Sequence, residues 1–164
     1  MRYLTLIRHA LANQQQAYQS DKERSITQMG RQQIENIAVQ LQKKACFPDY
    51  FLCSPALRTV QTAEILCQKL NIDPKVINLN SELYSGDLKD ILCALCAVNT
   101  SQQFFLIGHN PTLSCLAHAL CPDTQSITLP TAGVISLKFN IKNWDDLLTT
   151  QGELLFFMEP AHEG

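Results

Sequence analysis

The chain opens with Met1-Arg2-Tyr3-Leu4-Thr5-Leu6-Ile7-Arg8-His9-Ala10, MRYLTLIRHA. Tyr3 to Ile7 is a short run of apolar and β-favouring residues, which predicts a buried strand. It ends in Arg8-His9, two side chains that bind or attack anions. Open α/β sheets build their sites at the C-terminal ends of their strands, so a strand that delivers this pair marks a candidate site. Taken alone, the ten residues also fit an edge strand with a solvated Arg-His tip. Two later stretches repeat the design and shift the balance.

The first is Tyr50 to Cys53, a buried-type strand followed by Ser54-Pro55. Ser54 is placed to cap a helix and Pro55 to open it, which puts Arg58 one turn in, on a helix running to about Leu70. The second is Phe104 to Ile107, apolar throughout and ending in Gly108-His109-Asn110-Pro111. Here Asn110 is expected to cap and Pro111 to open a helix to about Leu120.

Between these stretches, residues 11–27 read as a polar loop that includes Ser20, Asp21, Lys22, Glu23 and Arg24. Thr27 is expected to cap a helix to about Lys44, with Ile34, Ile37, Ala38 and Leu41 as its apolar stripe. Val76 to Leu79 predicts a third strand, then a loop from Ser81 to Gly86 carries one carboxylate, Glu82. Leu88, Ile91, Leu92 and Leu95 mark another amphipathic helix. After a loop at 121–133, Val134 to Phe139 and Leu154 to Met158 predict two strands with no clear helix between them. Trp144 is read as a packing anchor. The expected architecture is α/β: a three-layer α/β/α sandwich, its central sheet mostly parallel with an antiparallel edge. One domain is expected over 1–164.

Composition narrows the function. The 164 residues are 46% hydrophobic and 17% charged, with a formal net charge of −2. This is a globular balance, and without a basic block nucleic acid is not expected as a partner. No leader pattern and no membrane-length apolar run is read, so a cytoplasmic protein without a membrane partner is expected. The seven cysteines are odd in number and irregular in spacing, and read as small core residues of a reduced protein. Cys93-x-x-Cys96 lies inside a helical pattern. Cys115, His118 and Cys121 have metal-like spacings, but such matches without context are mostly false. His118 and His162 are read as structural or solvated.

In a parallel sheet the strand C-termini share one edge, so Arg8, His9, Arg58 and His109 can converge there. Two arginines and two histidines together are balanced most naturally by a dianion. Phosphate fits the charge and the forked geometry of guanidinium, and helix N-termini add N–H donors. A neutral imidazole can attack phosphorus and hold the phosphoryl group covalently. No P-loop and no carboxylate cluster for Mg²⁺ is present, so this reading calls for no metal and no cofactor.

These motifs resemble the histidine phosphatase superfamily, the phosphoglycerate mutase-like fold, and within it the small SixA-type phosphohistidine phosphatases. Arg8-His9 resembles the family's RH motif. Ser54-Pro55-Ala56-Leu57-Arg58-Thr59-Val60-Gln61-Thr62-Ala63 is similar to its S-P-x-x-R-x-x-x-T-A stretch, and Gly108-His109 to its second-histidine motif. Arg24-Ser25-Ile26-Thr27 followed by Gly30 resembles R-P-L-T-x-x-G, with Ser for Pro and Ile for Leu. Ala10 and Leu11 depart from the Gly and the polar residue common after RH.

The resemblance implies His9 as nucleophile through a phosphohistidine intermediate that water hydrolyses. It implies Arg8, Arg58 and His109 as holders of the phosphoryl oxygens, with Arg24 as a phosphate or substrate contact. Glu82 stands where larger relatives carry the acid that protonates the leaving oxygen; an imidazole leaving group needs that acid less. The short chain suggests an open site. The expected substrate is therefore a histidine-phosphorylated protein, such as a phosphotransfer domain or phosphocarrier. The alternatives are a phosphatase for a small phosphate ester or anhydride, and a phosphate-recognition module without turnover.

Overall fold

The structure, a computed structural model, describes residues 1–161; His162 lies outside them. Its elements are β1 (Arg2–Arg8), α1 (Gln28–Lys43), β2 (Tyr50–Cys53), α2 (Leu57–Leu70), β3 (Ile77–Leu79), α3 (Glu82–Ser85), α4 (Leu88–Cys96), β4 (Gln103–Gly108), α5 (Thr112–Leu120), β5 (Val134–Phe139) and β6 (Glu153–Met158). The described residues form one six-stranded sheet in the order β3-β2-β4-β1-β5-β6. β3, β2, β4 and β1 run parallel. β5 runs antiparallel to both β1 and β6, so the antiparallel part begins one interface closer to the centre than the expected edge pair.

Side chains alternate across a strand, and the two faces of β1 and β4 fill two cores. Leu4, Leu6, Phe104 and Leu106 pack with Ile91 and Leu95 of α4 and with Leu113 and Leu116 of α5. Ile7, Phe105 and Ile107 face the other way, onto Ile34, Ile37 and Leu41 of α1 and Ala63 and Leu66 of α2. The three-layer α/β/α expectation holds. Trp144 is fully buried in the first core, where its indole N–H donates to the Ser101 carbonyl at 2.9 Å. Thr5, a buried polar group in the centre of β1, shares a 3.0 Å hydrogen bond with Ser136 Oγ, which removes most of its burial cost.

Register sets the position of the site. Ile7 pairs with Ile107 and Arg8 with Gly108, and the His9 N–H donates to the Gly108 carbonyl at 3.2 Å. The two residues that follow these strands, His9 and His109, therefore emerge side by side. β2 aligns Cys53 with Ile107, which brings Ser54 to the same edge.

Helix starts differ from expectation where side chains have other work. α1 begins after Thr27 as read, and Gly30 N–H donates to Thr27 Oγ1 at 2.9 Å. Gly30 itself is needed because a Cβ there would lie 2.3 Å from the Leu11 carbonyl oxygen. Ser54 does not cap α2: the helix starts at Leu57 with Ala56 at the cap position. α5 starts at Thr112 rather than Pro111. Asn110 still serves its first turn, its Oδ1 accepting from Ser114 N–H at 3.3 Å. The expected loop around Glu82 is the single helical turn α3.

Candidate active site

At the C-terminal edge of the parallel strands lies a cleft of about 460 Å³ lined by Arg8, His9, Asp21, Arg24, Arg58, Tyr84, Ser85, His109 and Asn110. The four residues expected from the strand ends are all there, and so is Arg24. The imidazole rings of His9 and His109 stand 5.3 Å apart, centre to centre.

His9 is oriented by a chain of hydrogen bonds that starts in α2. Thr62 Oγ1 donates back to the Arg58 carbonyl at 2.7 Å and accepts from the Ala10 N–H at 3.0 Å. This fixes the Ala10 peptide, whose carbonyl lies 2.8 Å from His9 Nδ1. A carbonyl only accepts, so Nδ1 carries the proton and Nε2 keeps its lone pair. Thr62 thus helps select the histidine tautomer. On the other side, the Ala132 N–H donates to the His9 carbonyl at 3.0 Å, with Ala132 held in the left-handed region at φ 57.

Burial lowers the His9 pKa to about 4, and the nearby Arg58, Arg8 and Arg24 push the same way; the bond to the Ala10 carbonyl opposes them. His109 falls to about 3, from burial first and then from His9 and Arg58, with Asp21 opposing. Both rings are therefore neutral at pH 7. Arg58 Nη2 donates to His109 Nδ1 at 3.4 Å, so the neutral ring carries its proton on Nε2. That nitrogen lies 2.8 Å from Ser54 Oγ, which also accepts from the Ala56 N–H at 3.4 Å just ahead of α2.

The guanidiniums differ in their anchorage. Arg8 Nη1 donates to the Leu129 carbonyl at 3.0 Å, and burial lowers its pKa. Arg58 is almost fully buried, with 6% of its surface exposed. Its Nη1 donates to the Asp21 carbonyl at 2.8 Å and its Nη2 to Asp21 Oδ2 at 3.0 Å. Arg24 donates from Nη1 to Asp21 Oδ1 at 3.0 Å and from Nε to the Asn13 carbonyl at 2.7 Å. The Nε atoms of Arg8 and Arg58 are buried and find no partner among the described residues. Three guanidiniums, one carboxylate and two neutral imidazoles leave the cleft a formal excess of two positive charges. The arrangement is short of acceptors and suits a dianion.

Asp21 is the residue that sequence reading missed. It sits in a 3-10 turn, Asp21–Glu23, and accepts from the Tyr84 hydroxyl at 2.7 Å besides its two arginines. The bond from Tyr84 and those from Arg24 and Arg58 hold its pKa far below the usual carboxylate range. Nothing local separates Asp21 from Glu23; its only signal was its place three residues before Arg24. The ion-pair partner of Arg58 is therefore Asp21, from the 11–27 loop, and not the Glu64 carboxylate that follows it on α2.

Glu82 does not line the cleft. Its Oε2 would lie 2.6 Å from a Cβ on Gly86, so the carboxylate folds back over its own turn, and α3 offers Tyr84 and Ser85 to the cleft instead. Outside the site, His118 Nε2 bonds to the Ile127 carbonyl at 2.9 Å. Among the described residues no three His, Cys, Asp or Glu side chains group as metal ligands, and no helix is long and apolar enough to cross a membrane.

Comparison with known proteins bears on the family and the fold. A family model described as the histidine phosphatase superfamily (branch 1) matches residues 4–94, a span that includes Arg8, His9, Arg24 and Arg58 but stops short of His109. An uncharacterized protein of Picosynechococcus sp. (strain ATCC 27264 / PCC 7002 / PR-6) is 30% identical over 140 residues, covering 82% of this chain and 84% of its own. Among solved structures, a candidate phosphohistidine phosphatase SixA from Nakamurella multipartitia superposes with a TM-score of 0.85 at 25% identity, covering 98% of this chain and 97% of that one. A second candidate SixA, from Agrobacterium tumefaciens, gives 0.82 at 25% identity, covering 98% and 99%.

Proposed function

Because the chain belongs to the histidine phosphatase superfamily (branch 1), and is SixA-like in structure, we propose that it is a phosphohistidine phosphatase working through a covalent phosphohistidine on His9. The observation that carries this reading is the state of His9. Its Nδ1–H is spent on Ala10, and its pKa near 4 leaves Nε2 unprotonated beside Arg8, Arg58 and His109.

In the first step Nε2 attacks phosphorus in line with the leaving group, forming the P–N bond as the bond to the substrate breaks. Arg8 and Arg58 hold the equatorial oxygens. His109 turns its Nε2–H from Ser54 to a phosphoryl oxygen. In the second step water attacks phosphorus, His9 Nε2 leaves with its electron pair, and phosphate departs. Positive charge already built into the site supplies the stabilisation that phosphoryl transfer needs most, so the reading calls for no metal.

The leaving group is argued from the acid the cleft lacks. Asp21 is the one carboxylate in the lining, and it is held as the anion, so it has no proton to give. A leaving imidazole tolerates this better than an alkoxide does. This supports a histidine-phosphorylated protein, such as a phosphotransfer domain or phosphocarrier, as the substrate.

The test is phosphate release in EDTA from a histidine-phosphorylated carrier protein, comparing wild type with His9→Ala. Release by wild type and a loss of ~10³-fold or more in the variant are expected. Equal release by both would remove His9 as nucleophile. If wild type releases phosphate from a small ester but not from the carrier, the substrate is the small ester.

A further inference from the structure

The tip of the 11–27 loop carries an anion of its own into the cleft. Asp21 accepts, through its carboxylate and its carbonyl, from both terminal nitrogens of Arg58, and through its other carboxylate oxygen from Arg24. The Nη2 donors of Arg58 are fully taken. Of its two Nη2 hydrogens, one goes to Asp21 and the other to His109 Nδ1.

The contact is tied from the opposite side of the cleft. The Tyr84 hydroxyl on α3 donates to the same Asp21 oxygen that meets Arg58, at 2.7 Å. The Lys22 ammonium lies over the Tyr84 ring, 4.8 Å from its centre, and that ring stands T-shaped to His109 with centres 5.6 Å apart. The loop is fixed at its neck by the Ala12–Ile26 bridge and by the Ile26 N–H on Gln61 Oε1 at 2.8 Å. The Asp21 side chain keeps 37% of its surface exposed, against 7% for Arg58. The carboxylate can move outward, and the guanidinium cannot.

We propose that Asp21 is a built-in competitor of the phosphoryl group, clasped onto Arg58 and Arg24 by Tyr84, which lowers affinity for phosphate and so returns the site to its empty state after turnover. The proposal rests on the phosphoryl-site reading above. Two anions cannot share the same Nη2 hydrogens without repulsion, so an arriving phosphoryl group displaces the Asp21 carboxylate from Arg58, and departing phosphate is replaced by it. The exchange costs the site no unpaired buried charge in either state. A buttress would act in the opposite sense. If Asp21 only oriented Arg58, removing its charge would weaken phosphate binding.

The experiment is competitive inhibition by inorganic phosphate, confirmed by calorimetric titration of phosphate, on wild type, Asp21→Asn and Tyr84→Phe. Asn keeps the shape and one acceptor oxygen, so the loop stays in place. Phe keeps the ring against Lys22 and His109 and removes only the hydroxyl. Phosphate is expected to bind Asp21→Asn roughly tenfold more tightly than wild type, and Tyr84→Phe a few-fold more tightly. Weaker or unchanged binding in Asp21→Asn, with wild type binding phosphate, would overturn the competitor role and leave the phosphoryl site standing. Phosphate binding by none of the three would overturn both.

Discussion

The floor of the cleft and its rim are built by different forces. The floor is His9 and Arg8, held by the main chain, with His109 beside them, its ring held by the side chains of Ser54 and Arg58. The His9 N–H and carbonyl are hydrogen-bonded to Gly108 and Ala132, its ring is bonded to Ala10, and the Arg8 side chain is bonded to Leu129. The rim is Asp21, Arg24 and Tyr84, held mostly by side chains to one another and to Arg58, beside two main-chain bonds, from Arg24 to the Asn13 carbonyl and from Arg58 to the Asp21 carbonyl. Main-chain anchors let the floor keep the His9 ring in one orientation. Side-chain anchors let the rim exchange partners. Damage to the floor should therefore appear in kcat and in fold stability, and damage to the rim in affinity with little effect on the fold.

The sharpest separation comes from Thr62→Val, which keeps the shape and removes the hydroxyl. The buried Ala10 N–H then loses its acceptor, at a cost of about 1–3 kcal/mol in unfolding free energy. The peptide that orients His9 also loosens. A fall in kcat of roughly tenfold with little change in KM is expected, read from steady-state kinetics beside urea denaturation. A change in KM alone would place Thr62 with the rim.

Acid acts on the floor next. His9 and His109 have native pKa values of about 4 and about 3, below the unfolded value of about 6.5. As pH falls below about 6.5 the unfolded chain takes up protons that the native state refuses, so stability is lost. The loss runs down to the native values and then levels off. Thermal unfolding should show the midpoint falling between pH 6.5 and 4, and phosphate in the cleft should flatten that slope by favouring the charged rings. The acid limb of kcat/KM, corrected for substrate ionisation, should lie near pH 4; a limb near 6.5 would mean that His9 is not held neutral.

The smallest effect is expected at the rim. Arg24→Ala removes a partly exposed ion pair with Asp21, which contributes no more than about 1 kcal/mol to stability. KM should rise several-fold with kcat nearly unchanged. A large fall in kcat would show that Arg24 belongs with the floor.

The same division explains what was legible beforehand. The floor follows from short-range rules: an apolar run predicts a strand, parallel strands end on one edge, and the residue after each strand end faces the cleft. Arg8, His9 and His109 could be read that way, and Arg58 from its place one turn into the helix after β2, together with the Thr27 cap and the architecture. The rim depends on where a loop folds back. That Asp21 rather than Glu23 or Glu64 meets Arg58 is decided by a 3-10 turn and by the loop neck. That Tyr84 rather than Glu82 enters the cleft is decided by which side of one helical turn faces it. Ser54 was misplaced because α2 begins only at Leu57, and its hydroxyl meets a histidine 55 residues away.

Sequence alone thus determined the layers of the fold, the strands, and the meeting of Arg8, His9, Arg58 and His109 in one cleft, because periodicity and strand direction act over a few residues. Only the tertiary structure decided the proton positions on the two histidines, the place of Asp21 against the arginines, and the exclusion of Glu82. Those outcomes depend on hydrogen bonds and charges that meet across the cleft, and the chain brings them together only when the sheet, α2 and the 11–27 loop have packed.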